Sequence, residues 1–241
     1  MARSATRIVH NADAIAWLQA QGKLAGASVI TSLPDISELP RLGLDGWRRW
    51  FEDAAALVME CTVDEGVAIF FQSDVKHGGL WIDKGAMVGR AAERARMNCL
   101  FHQIVCRKPP GTSSFGRATY AHMLGFGRGS VRGQRARVDV LPDGGFKPGP
   151  KSMGVAACLQ ACQFVQGETI TRTVVDPFCG WGTVLAVANA LGLDALGVDI
   201  APRMCRRARM LHIELESTGT SVPDARNPSG SPLFPAGMGN R

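Results

Sequence analysis

The chain has 241 residues, of which 46% are apolar and 20% are charged, a composition typical of a globular domain. No window holds the roughly 18 uninterrupted apolar residues of a membrane helix, and no apolar segment follows the basic N-terminus. We therefore expect neither a membrane span nor a secretory signal. The seven cysteines form no C-x-x-C pair, which argues against a zinc site or a disulfide scaffold. The sequence predicts a cytoplasmic protein with reduced thiols and no bound metal.

The chain is basic, with 27 Lys and Arg against 21 Asp and Glu and a formal net charge of +6. Most of the basic residues are arginine, whose planar guanidinium makes bidentate contacts with phosphates and bases. This bias favours a nucleic acid or another anionic partner. GC-rich coding, which raises Arg, Ala and Gly together, explains the same composition equally well.

Short apolar runs alternate with helical patterns along the chain, which predicts an α/β sheet. In chain order, the predicted strands are 7–10, 27–32, 66–72, 99–107, 120–128, 173–177 and 195–199, and the predicted helices are 13–21, 44–61, 85–97, 153–165, 183–191 and 202–216. We expect strands 99–107 and 120–128 to form an antiparallel pair. The basic, Gly- and Pro-rich segment 129–151 is predicted to be a linker. Segment 217–241 has little apolar content and is predicted to be a disordered tail.

The most informative stretch runs from Val174 to Thr183, where a buried strand enters a Gly-x-Gly turn and then an apolar helix. Glycines at such a turn let the backbone approach a ligand closely, as in nucleotide-binding strand–turn–helix units. Asp199 ends the next predicted strand, where a carboxylate can accept hydrogen bonds from ribose hydroxyls. A phosphate-binding P-loop is excluded because no Gly-Lys-Ser/Thr follows. The stretch therefore predicts a cofactor site.

The sequence Asp-Pro-Phe-x-Gly-x-Gly-Thr resembles the S-adenosylmethionine-binding motif of Rossmann-like methyltransferases, in the form found in enzymes that methylate nucleic-acid amino groups. The resemblance implies that S-adenosyl-L-methionine is the cofactor. The segment from Ile8 to Asp13 is similar to the family's strand whose acidic end lies near the adenine. The implied cofactor-binding residues are Asp13, Asp176, Pro177, Phe178, Cys179, Gly180, Gly182, Thr183 and Asp199.

In most such methyltransferases the cofactor motif opens the domain, whereas here few residues separate Asp199 from the predicted tail. The remaining strands must therefore come from upstream, which implies a circularly permuted order. Two upstream segments fit. The run Val29 to Asp35 resembles the T-S-P-P-Y catalytic turn of permuted cytosine-N4 DNA methyltransferases, and residues 102–110 with 120–122 resemble a later strand pair of that family.

The resemblance implies one methyltransferase domain over residues 1–216, with a catalytic half at 7–128, the linker at 129–151 and a cofactor-motif half at 152–216. The implied fold is Rossmann-like, a seven-stranded mixed sheet with helices on both faces in circularly permuted order.

The predicted catalytic turn departs from the family at its end, since Leu33-Pro34-Asp35 replaces Pro-Pro-Tyr. Ser32 and a backbone carbonyl beside Pro34 can still accept hydrogen bonds, but a carboxylate takes the place of the stacking aromatic ring. Asp35 becomes a candidate general base. Its alternative role is a simple turn cap. The predicted catalytic residues are Ser32, Pro34 and Asp35.

Four further residues are candidates for contact with the substrate because of where they stand in the sequence. Asp74 and His77 come after the strand 66–72, at the strand end where ligands collect in open α/β sheets. Phe115 and Arg117 lie in a loop suited to clamping a base or a phosphate. Asp74 and His77 could instead simply cap their loop, and Phe115 and Arg117 could belong to an ordinary hairpin connection. Eight arginines could form a basic surface or a solvated face: Arg128, Arg132, Arg135, Arg137, Arg203, Arg206, Arg207 and Arg209.

The predicted function is S-adenosylmethionine-dependent methyl transfer to a nucleotide, with RNA (tRNA or rRNA) favoured as substrate. Segment 129–151 is too short to hold a domain that reads DNA sequence in a groove, whereas structured RNA can be recognised by shape and phosphates. The alternatives are a DNA amino-methyltransferase, a small-molecule N- or O-methyltransferase, and a non-catalytic cofactor-binding subunit. The oligomeric state stays open.

Overall fold

The computed structural model describes residues 4–129 and 138–215. The strands are β1 (Arg7–Asn11), β2 (Ala27–Thr31), β3 (Ala68–Gln72), β4 (Val75–His77), β5 (Leu80–Ile82), β6 (Asn98–Cys106), β7 (Tyr120–Gly127), β8 (Val140–Leu141), β9 (Thr173–Asp176) and β10 (Asp194–Asp199). The α-helices are α1 (Ala14–Gln21), α2 (Gly43–Cys61), α3 (Lys84–Arg94), α4 (Val155–Glu168), α5 (Thr183–Ala190) and α6 (Pro202–Met210). The predicted tail lies outside the described residues.

The main sheet has the order β1–β10–β9–β2–β3–β7–β6–β8. Strands β1, β10, β9, β2 and β3 are parallel, and β7 runs antiparallel to both β3 and β6, as predicted for the 99–107 and 120–128 pair. The predicted number of seven strands is wrong, since the described sheet has eight. The extra strand β8 lies inside the predicted linker, where Val140 and Leu141 pair with Ile104 and Val105 of β6.

Helices cover both faces of the sheet, as predicted. On one face, Trp47 and Phe51 of α2 are fully buried in a core that also contains Phe70 of β3 and residues of α1 and α3. On the other face, Leu185 of α5 and Cys162 of α4 lie in a second core with residues of α6. The apolar face of α2 and of α3 thus accounts for the layer in which these two helices pack, whereas α4 and α5 are apolar on most of their surface.

A short hairpin, β4–β5, precedes α3 and was not predicted from the sequence. Its turn residues Gly78 and Gly79 have φ values of +57° and +78°, which tight two-residue hairpins require and glycine adopts without strain. At the other end of the chain, α6 stops at Met210, several residues before the predicted end at 216. No helix among the described residues is long and apolar enough to span a membrane.

Candidate functional site

A cavity of about 450 Å³ opens where the carboxyl ends of the parallel strands meet. Several segments of the chain line it: the glycine turn after β9, the end of β10, the turn after β2, the start of α1, residues 38–39, Trp50 of α2 and residues 150–153. Of the residues predicted from the sequence, the lining includes Asp13, Ser32, Pro34, Asp176, Pro177, Phe178, Cys179, Gly180, Thr183 and Asp199. Gly182 and Asp35 are not among the lining residues.

The glycine turn has the backbone geometry that its sequence predicts. Gly180 and Gly182 have φ values of +49° and +77°, in the left-handed region that favours glycine. A Cβ at Gly182 would lie 2.6 Å from Cα of Ala208, so α6 packs closely against the start of α5. Thr183 opens α5 with its hydroxyl oxygen buried and without a hydrogen-bond partner among the described residues. This hydroxyl is therefore available to a ligand in the cavity.

Two predicted cofactor residues already make backbone hydrogen bonds. The Asp199 carboxylate accepts from the amide of Gly180 at 3.0 Å and from the amide of Ala201 at 2.8 Å, one bond on each oxygen. Since a carboxylate oxygen can accept two hydrogen bonds, each retains one acceptor position. Asp13 caps α1 by accepting from the amide of Ala16 at 2.9 Å, and it faces the cavity from the end of β1.

Asp176 links the central strands beneath the cavity. Its Oδ1 accepts from the hydroxyl of Thr31 at 2.8 Å and from the amide of Phe178 at 3.1 Å. Burial raises the pKa of Asp176 to about 7, and these hydrogen bonds only partly offset that effect. Asp176 therefore fixes the geometry of the turn and has an ionisation state that changes near neutral pH.

The predicted linker covers one side of the cavity, which the sequence did not indicate. The Trp181 ring of the glycine turn packs against Gly149, where no Cβ would fit. On Trp181 lies the Arg207 guanidinium, with its central carbon 4.2 Å from the ring centroid. Lys151 then reaches the turn after β2, its ammonium 3.5 Å from the Glu38 carboxylate. We call residues 147–153 the covering segment.

The turn after β2 presents Ser32 and Pro34 to the cavity but directs Asp35 elsewhere. The carbonyl of Pro34 accepts from the indole N–H of Trp47 at 3.2 Å, which fixes the turn on α2. Asp35 is buried, caps a short 3-10 helix by accepting from the amide of Ile36 at 2.7 Å, and accepts from the Arg117 guanidinium at 2.6 Å. Lys84 lies 3.8 Å from the same carboxylate oxygen.

Lys84 and Asp74 belong to the same polar cluster. Burial lowers the pKa of Lys84 to about 8, although the charge of Asp35 opposes this effect. The buried Asp74 carboxylate accepts from the amide of Lys84 at 2.8 Å and from the Trp81 indole at 3.2 Å, and it bonds the ring of His122 at 3.1 Å. Burial alone would raise the pKa of Asp74, but the bonds from His122, Lys84 and Trp81 lower it.

The other predicted substrate residues lie at the surface near this cluster. His77 is exposed on β4, and Phe115 is 97% exposed on the loop before β7. Arg117, two residues later, is the partner of Asp35. Asp74, Asp83 and His122 bring three metal-ligand atoms within 4.8 Å of one another, but Asp74 is already held by the hydrogen bonds described above.

Sequence reasoning missed several residues that shape the site, namely Lys84, Glu38, Lys151 and Trp181. Trp181 could have been noticed because it stands between the two glycines of the turn. Glu38 also has a local signal, because it stands three residues after Asp35 and forms a capping box with it. Lys84 and Lys151 have none, since their ion-pair partners lie far away in the chain.

No family model and no curated protein sequence matches the chain. A proposed DNA modification methylase from Thermus thermophilus, in complex with S-adenosyl-L-methionine, is similar with a TM-score of 0.66 and 18% identity, over 84% of this chain and 91% of that chain. The M1.HpyAVI–SAM complex is similar with a TM-score of 0.57 and 13% identity, over 85% and 98% of the two chains.

A third similar structure is the PvuII DNA methyltransferase, a cytosine-N4-specific enzyme. Its TM-score is 0.64 at 12% identity, over 88% of this chain and 89% of that chain. At such identities the similarity is one of fold. The chain has the mixed α/β, Rossmann-like fold that is shared by these S-adenosylmethionine-binding and DNA-methylating proteins.

Proposed function

We propose that the protein is an S-adenosylmethionine-dependent methyltransferase that acts on an exocyclic amino group of a DNA base. The observation that carries this proposal is the cavity itself, because the glycine turn and the Ser32–Pro34 turn line it together. Methyl transfer requires a cofactor site and an acceptor site that open into each other. The similar structures, which include two cofactor complexes and a cytosine-N4-specific enzyme, support the same function.

The residues around the glycine turn fit S-adenosylmethionine. Asp199 retains acceptor positions for ribose hydroxyls, and Asp13 lies on the side that would face the adenine. The unpartnered hydroxyl of Thr183 supplies a polar contact at the first turn of α5. When bound, the cofactor supplies a methyl group already activated by its sulfonium charge.

The acceptor side of the cavity consists of the turn after β2. Ser32 can accept a hydrogen bond from the target amino group, and so can the backbone carbonyl of Leu33, the one beside Pro34. Two such acceptors would orient the nitrogen lone pair toward the methyl group. The hydrogen bond from Trp47 to the Pro34 carbonyl keeps these groups in place before the substrate binds.

DNA replaces RNA as the favoured substrate. The sequence favoured RNA because segment 129–151 is too short for a recognition domain. Two of the similar structures are a DNA modification methylase and a DNA methyltransferase by name, and this supports the DNA amino-methyltransferase that the sequence left as an alternative. RNA remains an outcome of the test below.

We also propose that the strand order is circularly permuted relative to methyltransferases in which the cofactor motif opens the domain. The motif strand β9 has a central position in the sheet, yet it is the ninth strand along the chain. Its neighbours β2 and β10 come from opposite ends of the sequence. This arrangement supports the proposal that the catalytic half precedes the cofactor half.

The test is a methylation assay combined with cofactor binding. The full chain is incubated with labelled S-adenosylmethionine and, separately, with DNA, total RNA and a metabolite extract, and the products are digested and identified by mass spectrometry. We expect a methylated amino group in DNA. If the RNA becomes labelled and the DNA does not, the proposed substrate changes to RNA. If only the metabolites become labelled, the proposal is refuted.

Calorimetry with S-adenosylmethionine tests the cofactor site separately. Asp199→Ala should weaken binding about ten- to 150-fold, as expected for a lost charge-assisted hydrogen bond of about 1.5–3 kcal/mol. Asp45→Ala removes an exposed carboxylate from α2 and serves as the matched control. Equal affinities for the two variants would remove the assignment of Asp199.

A further inference from the structure

The β4–β5 hairpin and the loop before β7 form one surface. Val75 pairs with Arg117 in an isolated antiparallel bridge, and the amide of Lys76 donates to the carbonyl of Gly116 at 3.0 Å. The Lys76 ammonium also donates to the carbonyl of Ser114 at 2.8 Å. These bonds hold the loop against the hairpin. We call residues 75–82 and 112–117 the hairpin–loop surface.

This surface exposes two aromatic rings and a cation that lies over one of them. Phe115 is 97% exposed and Trp81 is 48% exposed. The Lys76 ammonium lies 5.3 Å from the centroid of the Trp81 ring, and its bond to Ser114 places it beside Phe115 in the chain. Leu80 next to Trp81 is 54% exposed. A cluster of exposed apolar groups rimmed by polar ones is typical of an interaction site.

The hairpin–loop surface is attached to the acceptor side of the cavity by buried contacts. Arg117 donates to Asp35 at 2.6 Å, directly after the Ser32–Pro34 segment. The Trp81 indole donates to the buried Asp74 at 3.2 Å. The Trp81 ring and the backbone of the loop that carries Phe115 are therefore anchored to the residues beside the acceptor turn.

The chemistry of the surface matches unpaired nucleotides. Every base has a π face on which an aromatic side chain can stack, and a lysine ammonium neutralises the phosphate between two bases. In a duplex, the bases already stack on each other and do not offer these faces to side chains. One exposed carboxylate, Asp83, lies next to this surface in the chain, and it is engaged as the cap of α3, where it accepts a hydrogen bond from the amide of Ala86.

We propose that the hairpin–loop surface binds unpaired DNA nucleotides that flank the target base. Trp81 and Phe115 stack on bases, and Lys76 contacts the phosphate between them. The proposal rests on the proposed function and adds that the substrate is recognised as a single strand. It also explains how a chain that lacks a groove-reading domain in its described residues can hold DNA.

The experiment measures fluorescence anisotropy of the full chain with one labelled oligonucleotide as single-stranded DNA, as duplex DNA and as RNA. We expect the single DNA strand to bind most tightly. Phe115→Leu keeps an apolar side chain but removes the π face, and it should weaken that binding about 5- to 150-fold. This range corresponds to a loss of about 1–3 kcal/mol of stacking on one base, since about 1.4 kcal/mol changes an affinity tenfold. Ile170→Ala is the control, because Ile170 is 51% exposed and precedes the amino end of β9, whereas the cavity lies at the carboxyl ends of the parallel strands.

Two more variants separate stacking from folding. Trp81→Ala should weaken binding by a similar factor, whereas Trp81→Phe keeps a ring and should retain most of the affinity even though its bond to Asp74 is lost. Lys76→Gln should lower the slope of log affinity against log salt by about 0.7, the value for one phosphate contact on a single strand.

The proposal would be overturned by equal binding of duplex and single strand together with unchanged affinity of Phe115→Leu. Tighter binding of RNA than of DNA would overturn the choice of DNA. The proposed function can fail independently. If DNA is methylated while Phe115→Leu binds like the wild type, the surface proposal fails and the function stands. If Phe115→Leu loses single-strand binding but no nucleic acid is methylated, the function fails, and of the surface proposal only the binding of single-stranded DNA stands.

Discussion

The resemblance to the T-S-P-P-Y turn aligns Asp35 with an aromatic ring, and the contacts of Asp35 in the structure indicate what the carboxylate does. It caps the 3-10 helix after the turn and is bonded to Arg117, with Lys84 close to the same oxygen. Both carboxylate oxygens therefore have partners within the protein, and the side chain does not line the cavity. The geometry favours a role in fixing the turn, while general-base catalysis by Asp35 stays a prediction.

Substitution of Asp35 separates these two roles. Asp35→Asn removes the largest negative charge acting on the buried Lys84 ammonium, and breaking a buried pair costs up to about 3–5 kcal/mol. We expect a loss of that size in the free energy of unfolding, measured with urea. The double variant Asp35→Asn, Lys84→Met should recover most of it, because no buried charge then lacks a partner. A folded double variant that turns over at less than about a hundredth of the wild-type rate would support the general base instead.

Asp176 makes stability depend on pH in an unusual direction for a carboxyl group. Its pKa is about 7 in the folded protein against an ordinary value of 3.8, so between these pH values the native state holds more protons than the unfolded state. Stability should therefore fall as pH rises from about 4 to 7, by at most about 1.4 kcal/mol per pH unit, and then level off.

The variant Asp176→Asn should remove this component while keeping the acceptor for Thr31 and Phe178. The measurement is the free energy of urea unfolding across the pH range, taken as the difference between wild type and variant. Asp45→Asn, at an exposed carboxylate, provides the control. An unchanged pH profile for Asp176→Asn would show that this carboxyl does not titrate in the window.

At the scale of elements, the site depends on how closely helices and segments approach the glycine turn. Gly182 lets α6 pack on the start of α5, and Gly149 lets the covering segment lie on Trp181. Arg207 completes this arrangement from α6. Parts of the chain that are distant in sequence thus hold the turn in one conformation, which a cofactor site needs before the ligand arrives.

Two glycines with the same backbone conformation allow this packing to be tested. Gly182 and Gly192 have φ values of +77° and +78°, but only Gly182 has protein atoms where a Cβ would stand. Gly192→Ala should cost about 1–2 kcal/mol of stability from backbone strain alone. Gly182→Ala should cost more than this, because Ala208 must move, and it should also weaken cofactor binding in calorimetry. Equal losses in the two variants would mean that the contact with α6 contributes nothing.

At the scale of the whole molecule, several of the basic side chains behind the net charge of +6 are engaged in contacts within the protein. Of the arginines predicted to form a basic surface, Arg207 lies on Trp181 and Arg209 donates to the Val9 carbonyl at 2.6 Å. Arg128 donates to the carbonyls of Thr62 and Met59. These three stabilise the fold. Arg132, Arg135 and Arg137 lie outside the described residues.

Binding of DNA should depend strongly on salt. Each phosphate contact releases counterions, so log affinity should fall linearly with log salt, with a slope of about 0.9 per contact on a duplex and 0.7 on a single strand. Replacing Arg132, Arg135 and Arg137 by Gln should flatten the slope. Arg90→Gln with Arg94→Gln is the control, because these side chains are paired with Glu52 and Asp53. A wild-type slope near zero would favour a small-molecule substrate.

The sequence by itself determined the features that depend on local patterns. Apolar runs of strand and helix length predicted the layered α/β sheet, and the strand–turn–helix around Gly180 predicted where a cofactor would bind. The Ser32–Pro34 turn was found by its resemblance to the T-S-P-P-Y turn. The prediction of the layered sheet is confirmed because strand and helix periodicity depends on neighbouring residues, while the roles of the site residues stay predictions.

Only the tertiary structure decided the contacts that join distant segments. Strand β8 is two residues long and exists because it pairs with β6. The bonds of Asp35 with Arg117, of Lys151 with Glu38 and of Trp181 with Arg207 connect parts of the chain that no sequence pattern links. The physical reason is that a side chain's charge and exposure depend on what the fold packs against it, and this packing is settled only when the whole sheet and its helices have come together.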